Sequence, residues 1–152
     1  MRLFLDTGIV GQLCHPNCKP DLSRWYERLM SEASNTTVML AEITDYEHRR
    51  VVTLLHAREP KKWQVSLDRL NQMTALLDYV PLKTSVMRQA AEFWAKARME
   101  KKKDEKDPRI DIDVILAAQA ADEQGVVVTD NVKDFYFLVP TKRWQELDPG
   151  SL

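Results

Sequence analysis

Apolar residues recur along this chain in two rhythms, short unbroken runs and spacings of three and four. Leu3, Phe4 and Leu5 form a run that predicts a buried strand over residues 2–5, closed by Asp6. "GIVGQLC" reads as a helical turn, and "HPNCKPD" as a loop holding two prolines. Leu22, Trp25, Leu29 and Met30 share a helical face, with Asp21 placed to cap a helix that runs to about Ala33. "TVMLA" predicts a second strand. A helix follows from about Glu42 to Ala57, with Ile43, Tyr46, Val51, Leu54 and Leu55 as its apolar stripe.

Pro60 suits the first turn of the next helix, whose stripe is Trp63, Leu67, Leu70, Met73 and Leu77. "DYVPL" reads as a short extended piece. Thr84 or Ser85 caps a long helix to about Lys103, turning Val86, Ala90, Phe93, Trp94 and Ala97 inward. "KKKDEKDP" predicts a charged, mobile loop. "DIDVILAAQAADEQ" predicts a helix that Gly125 stops. "VVVT" is a fully apolar strand of the kind found inside a parallel sheet. Beyond Phe135, "FLV" predicts an edge strand and "TKRWQEL" a closing turn. Strands that alternate with helices predict an α/β sandwich with a mostly parallel sheet, and 152 residues without a dividing linker predict one domain over 1–152.

Composition narrows the function. Apolar residues make up 44% and charged residues 30%, which fits a globule with a core and argues against disorder. No stretch approaches the roughly 20 apolar residues of a membrane helix. The N-terminus lacks a basic segment followed by a long apolar run, so a cytoplasmic location without membrane attachment is expected. A net charge of −1 excludes attachment to nucleic acid by bulk charge, while leaving room for a local basic rim. Cys14 and Cys18 lie beside His15, yet zinc needs four ligands and no second Cys/His pair follows, so two reduced thiols are expected. His48 and His56 are expected at the surface. The four tryptophans sit mostly at helical apolar spacing and read as core or interface residues before base-stacking platforms.

The acids then become informative. Asp6 closes the first strand, and Asp130 and Asn131 follow "VVVT" in the same way. In open α/β sheets ligands gather beyond the carboxyl ends of the parallel strands. Glu42 stands at the end of "TVMLA", Glu47 in the first turns of the next helix, and Asp111 and Asp113 open the helix before "VVVT". At about 100° per residue, Asp111 and Asp113 point about 200° apart on regular helix, so only a frayed terminus lets both face one site. From Asp113 onward the small residues of "VILAAQA" allow close packing on the sheet. Carboxylates gathered in one cleft repel, which raises their pKa values or drives them to take up a cation. Oxygen donors without soft ligands suit Mg²⁺ or Mn²⁺, and a pair of such ions roughly 3.5–4 Å apart hydrolyses phosphodiesters.

Each of these residues also has a plain reading. Asp6 and Asp111 can be helix caps, Glu42 and Asp113 first-turn acids favoured by the helix dipole, and Glu47 a solvated helix residue. Asp130, Asn131 and Asp134 can be turn formers, and Thr129 can simply end a strand. Arg49 and Arg50 can contact a phosphate or pair with nearby acids, with Arg50 one turn from Glu47 and able to brace it. "EKKKDEK" reads first as a solvated loop, though it can touch RNA.

Taken in order, the motifs resemble those of PIN-domain ribonucleases, in particular the VapC-like toxins of bacterial type II toxin–antitoxin pairs. "LFLDTG" resembles the family's opening strand with its first acid, Asp6, followed by Thr7. "LAEITDYEHRR" resembles its second acidic element, where family spacing selects Glu47 over Glu42. "DIDVILAAQA" resembles the element that places Asp113. "VVVTDNVKDF" resembles the last, placing Thr129, Asn131, Asp134 and Phe135. The likeness spans residue 2 to about 147, and its specificity lies in the order and spacing of the motifs. One departure is Asn131 at the fourth position with Asp130 beside it, and either can take the role.

The resemblance implies a PIN-like three-layer sandwich with about five parallel strands. It implies Mg²⁺- or Mn²⁺-dependent cleavage of RNA, homodimerisation, and a cognate antitoxin whose tail blocks the site and often binds DNA. Asp6, Glu47, Asp113 and Asn131 would form the catalytic set, with Asp6, Asp113, Asp130 and Asp111 as metal ligands. Thr7, Thr129, Arg50, Glu42 and Asp134 would support them. The competing expectation is a PIN-fold module with a weak or absent active site that binds a partner. Nucleotide binding is disfavoured by the lack of Gly-x-Gly-x-x-Gly and Walker motifs. A receiver domain is disfavoured because no late strand ends with a suitably placed lysine.

Overall fold

Successive side chains of the first strand face two different cores, which sets up the layers. The computed structural model describes residues 1–100 and 109–152. In β1 (Arg2–Leu5), Leu3 and Leu5 join one apolar cluster while Phe4 joins another. Strand β2 (Thr37–Ala41) repeats the split, with Val38 and Leu40 on one face and Met39 and Ala41 on the other. In β4 (Val126–Val128) Val128 and Val127 do the same. The period of two along an extended chain buried on both faces is the physical reason these runs are unbroken.

Helices α1 (Thr7–Cys14), α2 (Pro20–Glu32) and α4 (Pro60–Leu76) supply Ile9, Val10, Leu22, Trp25, Leu29, Leu70 and Met73 to the first face. Helix α6 (Arg109–Asp122) lays Leu116, Ala117 and Ala120 on the second, and α5 (Thr84–Glu100) packs behind it through Val86, Ala90 and Ala97. Helix α3 (Glu42–Arg58) packs against α1, α4 and α6. With β3 (Asp78–Val80) and β5 (Thr141–Lys142) the described strands form a five-stranded sheet of order β3-β2-β1-β4-β5, parallel at every pairing. The chain winds outward from β1 through β2 to β3, then returns to place β4 on the other side of β1. The crevice between the ends of β1 and β4 is therefore the topological switch point, where open sheets of this kind bind ligands.

Several expectations are corrected. Helix α2 starts at Pro20 with Lys19 at its N-cap and no side-chain cap among the described residues, so Asp21 lies inside the first turn. In α3 Tyr46, Val51 and Leu54 are 54%, 47% and 51% exposed, and Ile43, Thr44 and Val52 form the buried face. Trp94 is 41% exposed rather than inward, with the Arg98 guanidinium 4.9 Å from its ring centroid. "FLV" forms no strand, and the edge strand is Thr141–Lys142, drawn in by Val127 and Val128. The charged segment "KKKDEKDP" lies outside the described residues.

The end of α6 also differs. The left-handed residue there is Gln124 (φ 52), and no glycine has positive φ. Gly125 matters for space instead: a Cβ on it would meet the Phe4 ring at 2.6 Å and the Arg2 carbonyl oxygen at 3.2 Å. Gly125→Ala is expected to force Phe4 out of position and to lower stability by about 1–3 kcal/mol, the range for overpacking. A urea midpoint equal to that of the wild type would contradict this close approach.

Candidate active site

Asp6 is the first residue beyond β1 and the N-cap of α1 (φ −68, ψ 156). Its backbone N–H donates to the Val128 carbonyl at 3.0 Å, which fixes it against the end of β4. One carboxylate oxygen, Oδ1, accepts the N–H of Thr7, the first residue of α1, at 2.7 Å, which satisfies one of the helix's unpaired first-turn donors. The other, Oδ2, accepts the Thr129 hydroxyl at 2.7 Å. That hydroxyl in turn accepts the Asn131 N–H at 2.9 Å. On the other side the Thr7 hydroxyl donates to Glu47 Oε2. Glu47, Thr7, Asp6, Thr129 and Asn131 thus form a continuous set across α3, α1, β1 and the end of β4.

Electrostatics marks the same place. Burial raises the Asp6 pKa above its usual value; the hydrogen bonds from Thr129 and the Thr7 amide oppose this, and the negative charges of Glu47 and Asp134 add to it. Asp134 comes from the 3₁₀ turn Val132–Asp134 after β4 and is partly buried. Glu47 and Asp134 therefore both lie close enough to Asp6 to oppose its ionisation.

The other residues expected at the site differ in where they lie. Asp130 is exposed and accepts the Gln12 side-chain amide at 3.3 Å, so it borders α1. Asn131 is exposed, and Asp113 is partly buried near the start of α6 while Asp111 is exposed. Glu42 points elsewhere: its carboxylate accepts the Leu82 N–H in the connection from β3 to α5. Arg50 lies with its guanidinium 5.4 Å from the Tyr46 ring centroid, so the brace on Glu47 comes from Thr7 instead. Arg49 pairs with Asp45 at 2.9 Å and bonds Asn71 at 2.8 Å.

Among the described residues no three His, Cys, Asp or Glu side chains stand as a ready metal-ligating group. The donors at the notch are nonetheless carboxylate, hydroxyl and amide oxygens, the chemistry that suits Mg²⁺ or Mn²⁺. The opposition that Asp6 meets from two further acids is what a divalent cation relieves, so the donor set fits such an ion.

Four contributors escaped the sequence reading. His48 is partly buried rather than on the surface, because α1 presents Gly11 to it: a Cβ there would lie 3.4 Å from His48 Nδ1. Its Nε2 is buried with no hydrogen-bond partner among the described residues, and burial lowers its pKa, so the ring is neutral at neutral pH. Glycines three apart in "GIVGQLC" were the available signal. Gln12 meets Asp130, and Thr44 and Gln119 are fully buried polar residues at the first turn of α3. Both cysteines are free; Cys14 is buried with its Sγ 3.6 Å from Met73 Sδ, and burial pushes its thiol up to about 12.

Thr129→Val tests the wiring. The change keeps the shape, removes the donor to Asp6 and leaves the Asn131 N–H without its acceptor. A loss of about 1–3 kcal/mol in chemical denaturation is expected. A change within about 0.5 kcal/mol, the scale of neutral surface substitutions, would show that the hydroxyl is dispensable.

Comparison with known proteins places the fold. The family model described as PIN domain matches residues 3–136. No curated protein matches the sequence. Among solved structures, VapBC2 from Rickettsia felis bound to a DNA fragment from its promoter is 19% identical with a TM-score of 0.71, covering 95% of this chain and 99% of that one. FitAcB from Neisseria gonorrhoeae is 23% identical with a TM-score of 0.71, covering 95% and 99%. Mycobacterium tuberculosis VapC20, a sarcin–ricin loop cleaving toxin, is 13% identical with a TM-score of 0.59, covering 87% and 92%. At these identities the likeness shows the shared fold. Among the described residues no helix is long and apolar enough to cross a membrane.

Proposed function

The chain belongs to the PIN-domain family, and we propose that it is a Mg²⁺- or Mn²⁺-dependent endoribonuclease, the toxin of a type II toxin–antitoxin pair. The observation that carries this reading is the linked set Glu47–Thr7 and Asp6–Thr129–Asn131 at the switch point of the sheet. Asp6, Glu47 and Asp113 would hold the ion, with Asn131 or Asp130 closing the site. When bound, such an ion acidifies water and stabilises the charge that builds on the phosphate in the transition state. Thr7 and Thr129 hold the carboxylates of Glu47 and Asp6 in fixed orientation by donating to them. Asp134 adds negative charge at the notch and strengthens its attraction for a cation. The cognate antitoxin, a homodimeric assembly and a cytoplasmic location belong to the same proposal, as does a single PIN domain over 1–152.

Purified protein given labelled RNA is expected to cleave it with Mn²⁺ or Mg²⁺ and to stop when a chelator is added. The competing reading, a catalytically weak PIN-fold module that binds a partner, draws on the amide at Asn131 and on the absence of a ready ligand cluster among the described residues. No cleavage under any ionic condition, with the circular dichroism of a folded protein, would favour the module.

A further inference from the structure

Within the apolar run of α6, Gln119 is a polar residue with no exposed surface. Burying an amide is unfavourable unless its hydrogen bonds are made. Both ends of this one are satisfied by other elements. Nε2 donates to the Val80 carbonyl at the end of β3 at 2.7 Å, and Oε1 accepts the Ile43 N–H at 3.3 Å. The Ile43 N–H is one of the first-turn donors of α3 that has no partner within its own helix. Ala41 at the N-cap has no polar side chain to offer, so the cap of α3 comes from α6.

We propose that Gln119 is a positioning residue that sets the placement of the helix carrying Glu47 against the helix carrying Asp113. This inference rests on the nuclease reading. Glu47 lies one turn beyond Ile43, and Asp113 lies about 9 Å before Gln119 along α6 at about 1.5 Å per residue. The Thr44 hydroxyl, 3.5 Å from the Leu5 carbonyl, ties the same first turn of α3 to the strand that ends at Asp6. Helices are stiff, so a slip at the start of α3 is carried to Glu47 and misplaces it against Asp6 and Asp113. Misplacement by about 1 Å can reduce a rate about 100-fold. Hydrogen-bonded supports of metal ligands affect metal affinity by about 10–100-fold when lost.

The test compares Gln119→Leu, which keeps volume and removes both bonds, with Trp25→Phe. The control removes a buried bond of similar kind, from Trp25 Nε1 to the Leu147 carbonyl at 2.9 Å, on α2. Calorimetric Mn²⁺ titration of the folded full chain, well below the melting temperatures, is read beside hydrogen exchange at the Ile43 amide. Gln119→Leu is expected to weaken Mn²⁺ binding about 10–100-fold and to lose Ile43 protection, while Trp25→Phe keeps both. Unchanged Mn²⁺ affinity in Gln119→Leu, with wild-type protein that binds Mn²⁺ and cleaves RNA, would overturn the inference alone. Wild-type protein that neither binds Mn²⁺ nor cleaves RNA would overturn the nuclease reading, and the inference with it.

Discussion

Asp6→Asn is expected to abolish RNA cleavage while leaving the protein no less stable at neutral pH. The loss should exceed the roughly 10–100-fold that follows removal of a hydrogen-bonded support of a metal ligand. Asparagine keeps an oxygen for the Thr7 N–H and retains N-cap preference. The Thr129 hydroxyl, which donates to Oδ2 of the acid, turns to accept the amide N–H of the variant. The substitution removes the charge that burial and the neighbouring acids Glu47 and Asp134 disfavour. The sign of the stability effect follows by linkage. A carboxyl whose folded pKa lies above its unfolded value binds its proton more tightly when folded. Its contribution to stability is therefore present below the unfolded value and is lost as pH rises through the raised folded pKa. Above that window the wild-type carboxylate carries the penalty of its buried charge, whereas the amide of the variant carries none at any pH. Urea midpoints in metal-free buffer should show Asp6→Asn equal to or above wild type at pH 7, with the difference closing as pH falls toward the ordinary aspartate value of 3.8. Retained cleavage, or a midpoint well below wild type at pH 7, would contradict this role for the carboxylate.

Glu47→Gln and Glu42→Gln should separate cleanly. Glu47 faces the Thr7 hydroxyl beside Asp6, so the amide preserves the hydrogen bond but loses the charge. Cleavage should fall by at least about 10-fold, the lower end for a disturbed metal site, with little change in melting temperature. Glu42 accepts the Leu82 N–H instead. Its amide should leave cleavage near wild type and lower stability by about 1 kcal/mol, the difference between a charged and a neutral hydrogen bond. Equal loss of cleavage in the two variants would show that the division of roles between these glutamates is wrong.

The layers were readable because β1, β2 and β4 are short apolar runs whose two faces are both buried. Pro60 marked the start of α4 correctly. The stripe on α3 misled because apolar spacing reports a face, and the face formed by Tyr46, Val51 and Leu54 is turned outward in this chain. Strand β5 is two residues long and owes its form to pairing with β4, so nothing local announces it. Gly125 was expected to stop a helix by its backbone freedom, yet the requirement is space beside Phe4, on a strand far away in sequence.

The site was legible in part for a similar reason. An acid directly after an apolar run is visible in the sequence, and so are Asp6, Asp130 and Asn131 as neighbours of strand ends. The pairing of Thr7 with Glu47 and of Thr129 with Asp6 spans 40 and 123 positions, and only the sheet order brings those partners together. Gln119 stands as a polar residue within the apolar run of α6. Its role follows from an N-cap on another helix that has no polar side chain to complete itself.

Everything functional here depends on acids from separate elements meeting around a divalent cation. Anomalous diffraction from crystals soaked in Mn²⁺ tests this most directly. A peak is expected at the switch point between β1 and β4, with oxygens of Asp6 and Asp113 at about 2.1 Å from the ion. A saturating soak with no peak there, or carboxylates of Asp6 and Asp113 more than about 10 Å apart and so beyond the span of a metal-pair site, would contradict it.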